Sequence, residues 1–310
     1  MKKTSVPLVI AFTPDYFIPA ATCLYSIITS MQAEGELHVI CLLSEELPER
    51  LKLKIQLIGE GRTCYSFVNL QGKLQHIYID QKYTEAASYR LLLPDLLPEY
   101  KKVIYIDCDI IVRNDLVQLY HSIDLGMNYL AAVFEASMDF QLDHLKTIGC
   151  NPNEYINSGF LIMNLELMRK DNMVEKFIEA SKVDYLEFPD QDVLNQLCKD
   201  RILALPPYYN SIRTFYLPQY KKFFFLQKYT EQDWLEVHRH GTVHYTGAKP
   251  WNQFTVQFQL WWQYYEQLPE IIKKEWQVDK KIYFLSKLYR TSCGTFVVDK
   301  LQALYRKMKY

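Results

Sequence analysis

Apolar runs and amphipathic segments alternate along the first two thirds of the chain. Val6 to Phe12 (VPLVIAF) is a continuous apolar run that predicts a buried strand, and Ile18 to Met31 has the periodicity of a helix. A strand is expected over Glu36 to Leu43, a helix over Glu45 to Ile58 and another strand over Thr63 to Leu70. This alternation predicts βαβ units, a doubly wound α/β sheet and ligands at the carboxyl ends of its strands.

The middle of the chain continues the alternation. Further strands are predicted over Lys102 to Ile106, Leu130 to Phe134 and Tyr155 to Leu165. Tyr89 to Leu93 is expected to form a short helix closed by prolines, and Asp190 to Lys199 a helix with acidic residues in its first turn. No GxGxxG sequence follows the first strand, which argues against a dinucleotide-binding domain.

The C-terminal part has a different pattern. Phe254 to Leu268 predicts an aromatic-rich helix, and from Lys280 onward basic and aromatic residues interleave against a single acid, Asp299. We expect one large α/β domain over residues 1–252 and a small helical appendage over residues 253–310. The appendage is either a solvated basic face or a surface for peripheral docking on an anionic membrane or on an acceptor.

Composition narrows the class of protein. The chain has 310 residues, is 49% hydrophobic and can bury a large core, and its net charge of -1 argues against nucleic-acid binding. The seven cysteines lack CxxC spacing and predict reduced thiols rather than a disulfide or zinc framework. No apolar run is long enough to span a membrane, and the N-terminus lacks a signal-peptide core, so a cytoplasmic location is expected.

Two carboxylates follow the predicted central strand. Asp107 and Asp109 come directly after Val103 to Ile106, where the carboxyl end of a strand would face a ligand crevice. Carboxylates at this spacing suit a hard divalent cation, and His244 could complete the ligand set; a histidine favours Mn²⁺ over Mg²⁺. The alternative is a loop with two solvated aspartates, because an Asp-x-Asp sequence alone is common.

The segment from His244 to Trp251 (HYTGAKPW) joins a candidate metal ligand to candidate phosphate-binding residues. Gly247 permits close approach of the backbone to a ligand, and Lys249 supplies a point charge for a phosphate. We expect this segment to complete a metal and diphosphate site. The structural alternative is a strand that leaves the core through a proline turn, with Trp251 packed.

Together these elements resemble glycosyltransferase family 8, which includes bacterial lipopolysaccharide galactosyl- and glucosyltransferases and the glycogenins. The resemblance covers roughly Val6 to Trp251 and rests on Asp107-Cys108-Asp109, Asn157-Ser158-Gly159-Phe160, Asp190-Gln191-Asp192 and the segment from His244. It implies a GT-A fold, a Rossmann-like mixed sheet flanked by helices. It also implies a UDP-hexose donor, a required Mn²⁺ or Mg²⁺, and transfer with retention of anomeric configuration.

The resemblance implies roles for individual residues. Asp107, Asp109 and His244 would be the metal ligands. Asn157, Asp190 and Gln191 would lie beside the transferred sugar and the acceptor, with Gln191 on the β face of the sugar. The structural alternatives are a turn at Asn157 and a helix cap at Asp190. The donor-binding residues would be Ala11, Phe12, Thr13, Tyr16, Arg90, Asp107, Cys108, Asp109, Gly247 and Lys249.

The sequence departs from the family pattern at two places that bear on the donor. Thr13 and Pro14 stand where the family usually has aspartates, the first of which binds uracil, so Thr13 or Asp15 would have to replace that contact. One residue rather than two separates Gly247 from Lys249. We therefore expect Lys249 to approach the phosphates at a shifted angle.

The expected function is transfer of galactose or glucose from a UDP-sugar to a glycan or lipid-linked acceptor in bacterial lipopolysaccharide or another surface polysaccharide. Glycosylation of a protein, including self-glycosylation, is an alternative within the family. UDP-sugar hydrolysis without an acceptor and nucleotide-sugar binding without turnover are alternatives from other classes. A front-face mechanism, in which the departing phosphate oxygen helps to deprotonate the acceptor, fits the lack of an evident base, with Glu135 and Asp190 as unplaced carboxylates.

Overall fold

The strands of the computed structural model form a larger and a smaller sheet. The structure describes residues 5–32, 34–74, 85–135, 137, 141–217, 220, 222–291, 294 and 300. The strands are β1 (Val6–Phe12), β2 (Leu37–Leu43), β3 (Thr63–Asn69), β4 (Lys102–Asp107), β5 (Ile110–Ile111), β6 (Leu130–Phe134), β7 (Ile156–Asn164), β8 (Ile202–Ala204), β9 (Ser211–Ile212) and β10 (Val243–His244).

Helices cover both faces of the larger sheet. They are α1 (Phe17–Ser30), α2 (Glu49–Ile55), α3 (Glu85–Ser88), α4 (Leu93–Leu96), α5 (Leu116–Ser122), α6 (Leu142–Thr147), α7 (Leu165–Lys170), α8 (Met173–Ala180), α9 (Pro189–Cys198), α10 (Lys222–Phe225), α11 (Glu231–His240), α12 (Phe258–Gln267), α13 (Glu270–Lys273) and α14 (Lys280–Tyr289). Short 3-10 turns cover Pro14–Tyr16, Tyr89–Leu92, Pro152–Glu154, Pro207–Tyr209 and Arg213–Tyr216.

The larger sheet has seven strands in the order β3-β2-β1-β4-β7-β6-β8. The pairs β1–β2, β2–β3, β1–β4 and β6–β8 are parallel, whereas β7 is antiparallel to both β4 and β6. The mixed sheet implied by the resemblance is confirmed, but a purely parallel βαβ reading is wrong at β7. Strand periodicity reports burial and not direction, which explains the difference.

The smaller sheet has three strands in the order β5-β10-β9 and was not predicted. Its strands are only two residues long, too short for a periodicity signal. In the antiparallel pair of β10 and β5, His244 lies opposite Ile110. This pairing brings His244 next to the aspartates that follow β4, although more than a hundred residues separate them in sequence.

Most predicted elements occur with shifted ends, and prolines account for two of the differences. The helix expected over Glu45 to Ile58 is limited to α2, because Pro48 disfavours helical geometry at the residue before it. The helix expected over Tyr89 to Leu93 is a 3-10 turn, and α4 then begins at Leu93 with Pro94 in its first turn, where the missing N–H group is tolerated.

The core lies on both faces of the central strands. Along β1, Leu8 and Ile10 face the layer that contains α1, whereas Val9 faces the opposite layer. Trp261 and Trp262 of α12 are almost completely buried in the same cluster as α1. The domain limits of 1–252 and 253–310 stay a prediction.

No helix within the described ranges is both long enough and apolar enough to cross a membrane. The basic residues Lys280, Lys281, Lys287 and Arg290 lie on or directly after α14, and Phe284 on the same helix is 68% exposed. Tyr283 and Tyr289 also lie on α14, and of the basic and aromatic residues after Arg290 only Lys300 is among the described residues.

Candidate active site

Three side chains that suit a divalent cation converge at the end of β4. Asp107 is the last residue of β4, Asp109 follows the next turn residue, and His244 ends β10. One ligand atom from each of these residues lies within 4.8 Å of the others. The oxygen, oxygen and nitrogen donors of this set suit Mn²⁺ or Mg²⁺.

The carboxylate of Asp107 is fixed on one side. Its Oδ1 atom accepts hydrogen bonds from Arg90 Nη2 at 2.7 Å and from the Tyr105 hydroxyl at 3.0 Å. Arg90 is 2% exposed, and it also pairs with Asp190 (Nε to Oδ2, 3.1 Å) and donates to the Ser158 carbonyl. These contacts leave Asp107 Oδ2 directed towards His244.

His244 is held in the tautomer that a metal requires. Its Nδ1 atom donates to Asn210 Oδ1 at 3.0 Å, so its Nε2 atom keeps a lone pair. That Nε2 atom lies 3.3 Å from Asp109 Oδ1 and 3.8 Å from Asp107 Oδ2. The nitrogen and the two oxygens therefore face one another, as a ligand set must.

Lys249 binds the second oxygen of Asp109. Its ammonium group bonds to Asp109 Oδ2 and donates to the Tyr245 carbonyl at 2.9 Å. Burial alone would raise the pKa of Asp109, but the charge of Lys249 holds that pKa below its ordinary value. Burial opposes the charged form of Lys249, yet Asp109 raises its pKa. Lys249 thus stays charged beside the candidate metal position.

The position of Gly159 allows no side chain. A Cβ atom added there would lie 2.2 Å from His244 Cε1 and 2.6 Å from Asp107 Oδ2. Since real Cβ atoms do not approach so closely, any other residue would displace the ligand set. The sequence Asn157-Ser158-Gly159 is therefore part of the site and not only a turn before a strand.

A chain of amide side chains connects the ligand set to Gln191. Asn210 donates to Asn157 Oδ1 at 2.9 Å, and Asn157 donates to Gln191 Oε1 at 3.1 Å. The Ser158 backbone N–H group also donates to Gln191 Oε1, at 3.0 Å. Asn210 is completely buried and was missed by sequence analysis, because an isolated asparagine before a two-residue strand carries no recognisable pattern.

Asp190 lies beside the same network. It accepts from the Ser158 hydroxyl at 3.0 Å and pairs with Arg90. Burial raises the pKa of Asp190, against the opposing charge of Arg90. Asp190 and Gln191 lie in the first turn of α9 and are both 7% exposed, and the N-cap residue is Phe188, so the alternative of a helix cap at Asp190 is wrong.

Two cavities share the aspartates of the ligand set. The larger, of about 400 Å³, is lined by Asn157, Asp190, Gln191 and His244 among others, and the smaller, of about 270 Å³, by Ala11, Phe12, Thr13, Tyr16 and Cys108 among others. Arg90, Asp107, Asp109, Gly247 and Lys249 line both. Every predicted site residue therefore lines one cavity or the other. We call the larger cavity the sugar lobe and the smaller the base lobe.

The first strand supplies few polar groups to the base lobe. Thr13 and Tyr16 line it, whereas Asp15 is exposed and does not. The edge of Tyr16 packs against Trp251, with ring centroids 5.9 Å apart and an interplanar angle of 89°. Of the two replacements considered for the family's aspartate, only Thr13 is in a position to contact a base.

Glu135 is a further carboxylate in the sugar lobe. It directly follows β6 and accepts a hydrogen bond from Gln141 Nε2 at 3.0 Å. Burial raises its pKa to about 7. The sequence alone left Glu135 unplaced, because its position depends on the β6–β7 pairing.

Two known proteins are similar to this chain in sequence. General stress protein A of Bacillus subtilis (strain 168) is 27% identical over 267 residues, covering 82% of this chain and 91% of that protein. Lipopolysaccharide 1,2-glucosyltransferase of Escherichia coli (strain K12) is 30% identical over 193 residues, covering 59% of this chain and 54% of that enzyme. The chain thus matches about half the length of the second relative.

The fold is also that of a solved galactosyltransferase. LgtC, in complex with donor and acceptor sugar analogues, gives a TM-score of 0.71 at 23% identity, covering 87% of this chain and 100% of that chain. This likeness confirms the GT-A fold. The family model described as "Glycosyl transferase family 8" matches residues 7–255. Since that match covers most of the chain, the protein belongs to glycosyltransferase family 8.

Proposed function

We propose that the protein transfers a hexose, galactose or glucose, from a UDP-sugar to a glycan acceptor in bacterial lipopolysaccharide or another surface polysaccharide, with retention of configuration. The observation that carries the proposal is the pair of cavities that share Asp107 and Asp109, with His244 in the wall of the larger one. A UDP-sugar has this shape: a base and ribose on one side of a diphosphate and a sugar on the other. Lys249 and Gly247 lie where the two cavities meet.

The ligand set fits a divalent ion, preferably Mn²⁺, held by Asp107 Oδ2, Asp109 Oδ1 and His244 Nε2. Such an ion would stabilise negative charge on the departing UDP. Lys249 would move from Asp109 to the diphosphate, where its ammonium group would also stabilise the negative charge on UDP. Each well-placed charge of this kind contributes a few kcal/mol, roughly, to stabilisation of the transition state.

The contacts of Gln191 and Asp190 favour a front-face mechanism. Gln191 Oε1 already accepts two hydrogen bonds, and Asp190 is paired with Arg90. A carbonyl or carboxylate oxygen with its lone pairs engaged is a poor nucleophile. We therefore assign Gln191 to electrostatic stabilisation of the β face, Asp190 to donor hydroxyls and Asn157 to the side where the acceptor approaches.

Glu135 adds an acceptor-side group to this assignment. It lies in the sugar lobe, and its pKa of about 7 leaves a substantial fraction ionised near neutral pH. An ionised Glu135 can accept a hydrogen bond from the attacking hydroxyl and hold it in place. The departing phosphate oxygen would then receive the proton.

We place this activity in the cytoplasm, where nucleotide sugars are made, with α14 as a peripheral contact to an anionic membrane. The support is local: α14 carries the exposed ring of Phe284 together with Lys280, Lys281 and Lys287, the last of which is paired with Glu266. Basic and aromatic residues on one helix suit the surface of an anionic bilayer. Sedimentation with anionic and neutral vesicles tests this contact, and equal binding to both would contradict it.

A donor screen tests the proposed function. Purified protein would be incubated with Mn²⁺ and each of UDP-galactose, UDP-glucose, UDP-N-acetylglucosamine and GDP-mannose, and nucleotide release would be followed with and without EDTA. We expect EDTA-sensitive release of UDP from a single UDP-hexose, stimulated by a glycan acceptor. Release of free hexose that excess acceptor does not reduce would indicate a hydrolase instead. Binding without turnover would indicate a nucleotide-sugar-binding protein.

A further inference from the structure

A third cavity, of about 340 Å³, is lined in part by a residue that lies between two sugar-lobe residues in sequence. The two cavities share the segment from Ile212 to Thr214: Ile212 and Thr214 line the sugar lobe, and Arg213 lines the third cavity. A Cβ atom placed on Gly247 would lie 3.7 Å from Arg213 Nη1. The guanidinium group therefore lies directly behind a residue that lines both lobes of the active site.

Two buried polar atoms of this third cavity have no hydrogen-bond partner among the described residues. They are Arg213 Nε and Thr255 Oγ1. Thr255 is only 8% exposed. Buried donors without partners are costly and therefore uncommon. These two lie on separate segments of one cavity wall, and acceptor oxygens placed there would satisfy both.

The electrostatics of the third cavity favour an anion. Arg213 and His238 line it, and the described residues that line it include no carboxylate. The start of α12 also forms part of its wall: Gln257, the N-cap residue, has a φ of 48° and gives no side-chain cap. The positive end of a ten-residue helix attracts negative charge.

The remaining lining residues suit a sugar ring. Phe254 and Tyr289 lie in edge-to-face contact, with ring centroids 5.2 Å apart, and both line the cavity. The Tyr216 hydroxyl donates to the Val237 carbonyl at 3.0 Å, which fixes that ring in the wall. Aromatic faces beside the amide of Gln259 provide the apolar and hydrogen-bonding surfaces that carbohydrate recognition uses.

We propose that the third cavity binds an acidic sugar, one that bears a carboxylate or a phosphate, within the acceptor chain. Arg213 and the N-terminus of α12 bind its anionic group, and the neighbouring hydroxyl-bearing unit extends past Gly247 and Thr214 into the sugar lobe. The inference rests on the proposed function, because it assigns the occupant to the acceptor of that reaction. It restricts the acceptor to glycans that carry an acidic unit next to the one that is extended.

Calorimetry with simple probes tests this inference. The protein would first be saturated with UDP and Mn²⁺ to occupy the diphosphate position, and then titrated with glucuronic acid, glucose 6-phosphate, inorganic phosphate and glucose. We expect at least one acidic sugar to bind at least tenfold more tightly than glucose and inorganic phosphate. Preference for glucuronic acid or for glucose 6-phosphate identifies the acidic group as a carboxylate or a phosphate.

Variants assign the binding to the cavity. Arg213→Ala should lower the affinity for the preferred acidic sugar at least tenfold. Arg213→Lys and Thr255→Val should each lower that affinity by a smaller factor. Arg239→Ala removes an exposed charge from the neighbouring helix α11 and should change nothing. Unfolding curves check that each variant is folded. Equal binding of all four probes, or an affinity for the acidic sugar that Arg213→Ala and Thr255→Val both leave unchanged, would overturn the inference.

The first titration separates this inference from the proposed function. If UDP does not bind, the donor assignment fails, and the acidic sugars can still be titrated into the protein alone. If UDP binds and no acidic sugar does, the donor assignment stands and the third cavity has another role.

Discussion

The sugar lobe and the base lobe share a wall but differ in how their polar groups are satisfied. In the sugar lobe the side chains bind one another: Arg90 holds Asp107 and Asp190, and Asn157 connects Asn210 to Gln191. Apart from the residues that line both cavities, the base lobe is lined mostly by small or apolar residues, with Thr13, Tyr16 and Tyr105 as its polar groups. For the proposed donor, the groups beside the sugar are therefore preorganised, whereas the polar groups available only to the base are few.

This difference has a physical consequence. Groups that bind one another before the substrate arrives need little reorganisation when charge develops, which favours catalysis. A pocket with few polar contacts discriminates weakly, because a lost hydrogen bond to a neutral partner costs only about 1 kcal/mol. We therefore expect substitutions in the sugar lobe to change turnover strongly and substitutions in the base lobe to change nucleotide affinity mildly.

Gly159→Ala should have the largest effect. The added methyl group would displace His244 and Asp107, and we expect kcat to fall on the order of 10³-fold with UDP-hexose and acceptor. Gly149→Ala is the matched control: Gly149 has a φ of 71° and open space around it, so this change lowers stability slightly and leaves kcat intact. Equal activity of both variants would show that the ligand set tolerates displacement.

Asn210→Leu should weaken the metal site without touching a ligand. Without the acceptor for Nδ1–H, His244 loses its fixed tautomer and orientation, and we expect Mn²⁺ affinity to fall about 10- to 100-fold. Titration of Mn²⁺ monitored by electron paramagnetic resonance measures this directly. Asn164→Leu, at the opposite end of β7 from Asn157, should leave Mn²⁺ affinity unchanged although it removes the cap of α7.

Glu135 should give transfer a pH dependence. Its pKa is raised to about 7 because it is buried, so the ionised form that holds the acceptor hydroxyl is lost as the pH falls through about 7. Transfer by the wild type should therefore rise with pH across this range, and Glu135→Gln should flatten the profile and lower kcat at high pH about tenfold. UDP affinity should not change. A profile with the same inflection in both proteins would assign it to another group.

Thr13→Val should have the smallest effect. It removes one neutral hydroxyl from the base lobe while keeping the side-chain shape, and we expect UDP affinity to fall by less than about tenfold with kcat unchanged. Calorimetric titration of UDP in the presence of Mn²⁺ measures the change. A fall in kcat comparable to that of Gly159→Ala would mean that the two lobes do not differ in the way that their contacts indicate.

The sequence predicted those parts of the molecule that have a local pattern. β1, β4 and β7 are long apolar runs, and the positions of Asp107 and Asp109 follow from the end of β4. Residue chemistry suggested His244 and Lys249 for a metal and a phosphate, whereas family resemblance supplied the candidate roles of Asn157, Asp190 and Gln191. The structure brings these residues to the same cleft, and their roles are proposals.

The parts of the fold and of the site that the sequence did not predict depend on contacts between residues far apart in the chain. The β5–β10 and β9–β10 ladders bring His244 to the aspartates, and both consist of two-residue strands without a period. Asn210 and Arg213 are single polar residues whose importance arises from what they face. The direction of β7 was also unpredictable, because a strand buried on both faces has the same sequence whichever way it runs.

The most direct test of the central claim is the binding of Mn²⁺ in the presence of UDP to the wild type and to Asp109→Asn. The account predicts one bound ion per chain in the wild type, and an affinity at least 100-fold weaker in the variant, because a neutral amide replaces a buried carboxylate ligand. Unfolding curves of the two proteins should coincide closely enough to show that the fold is retained. Equal Mn²⁺ affinity in both would contradict the assignment of Asp107, Asp109 and His244 as the metal site.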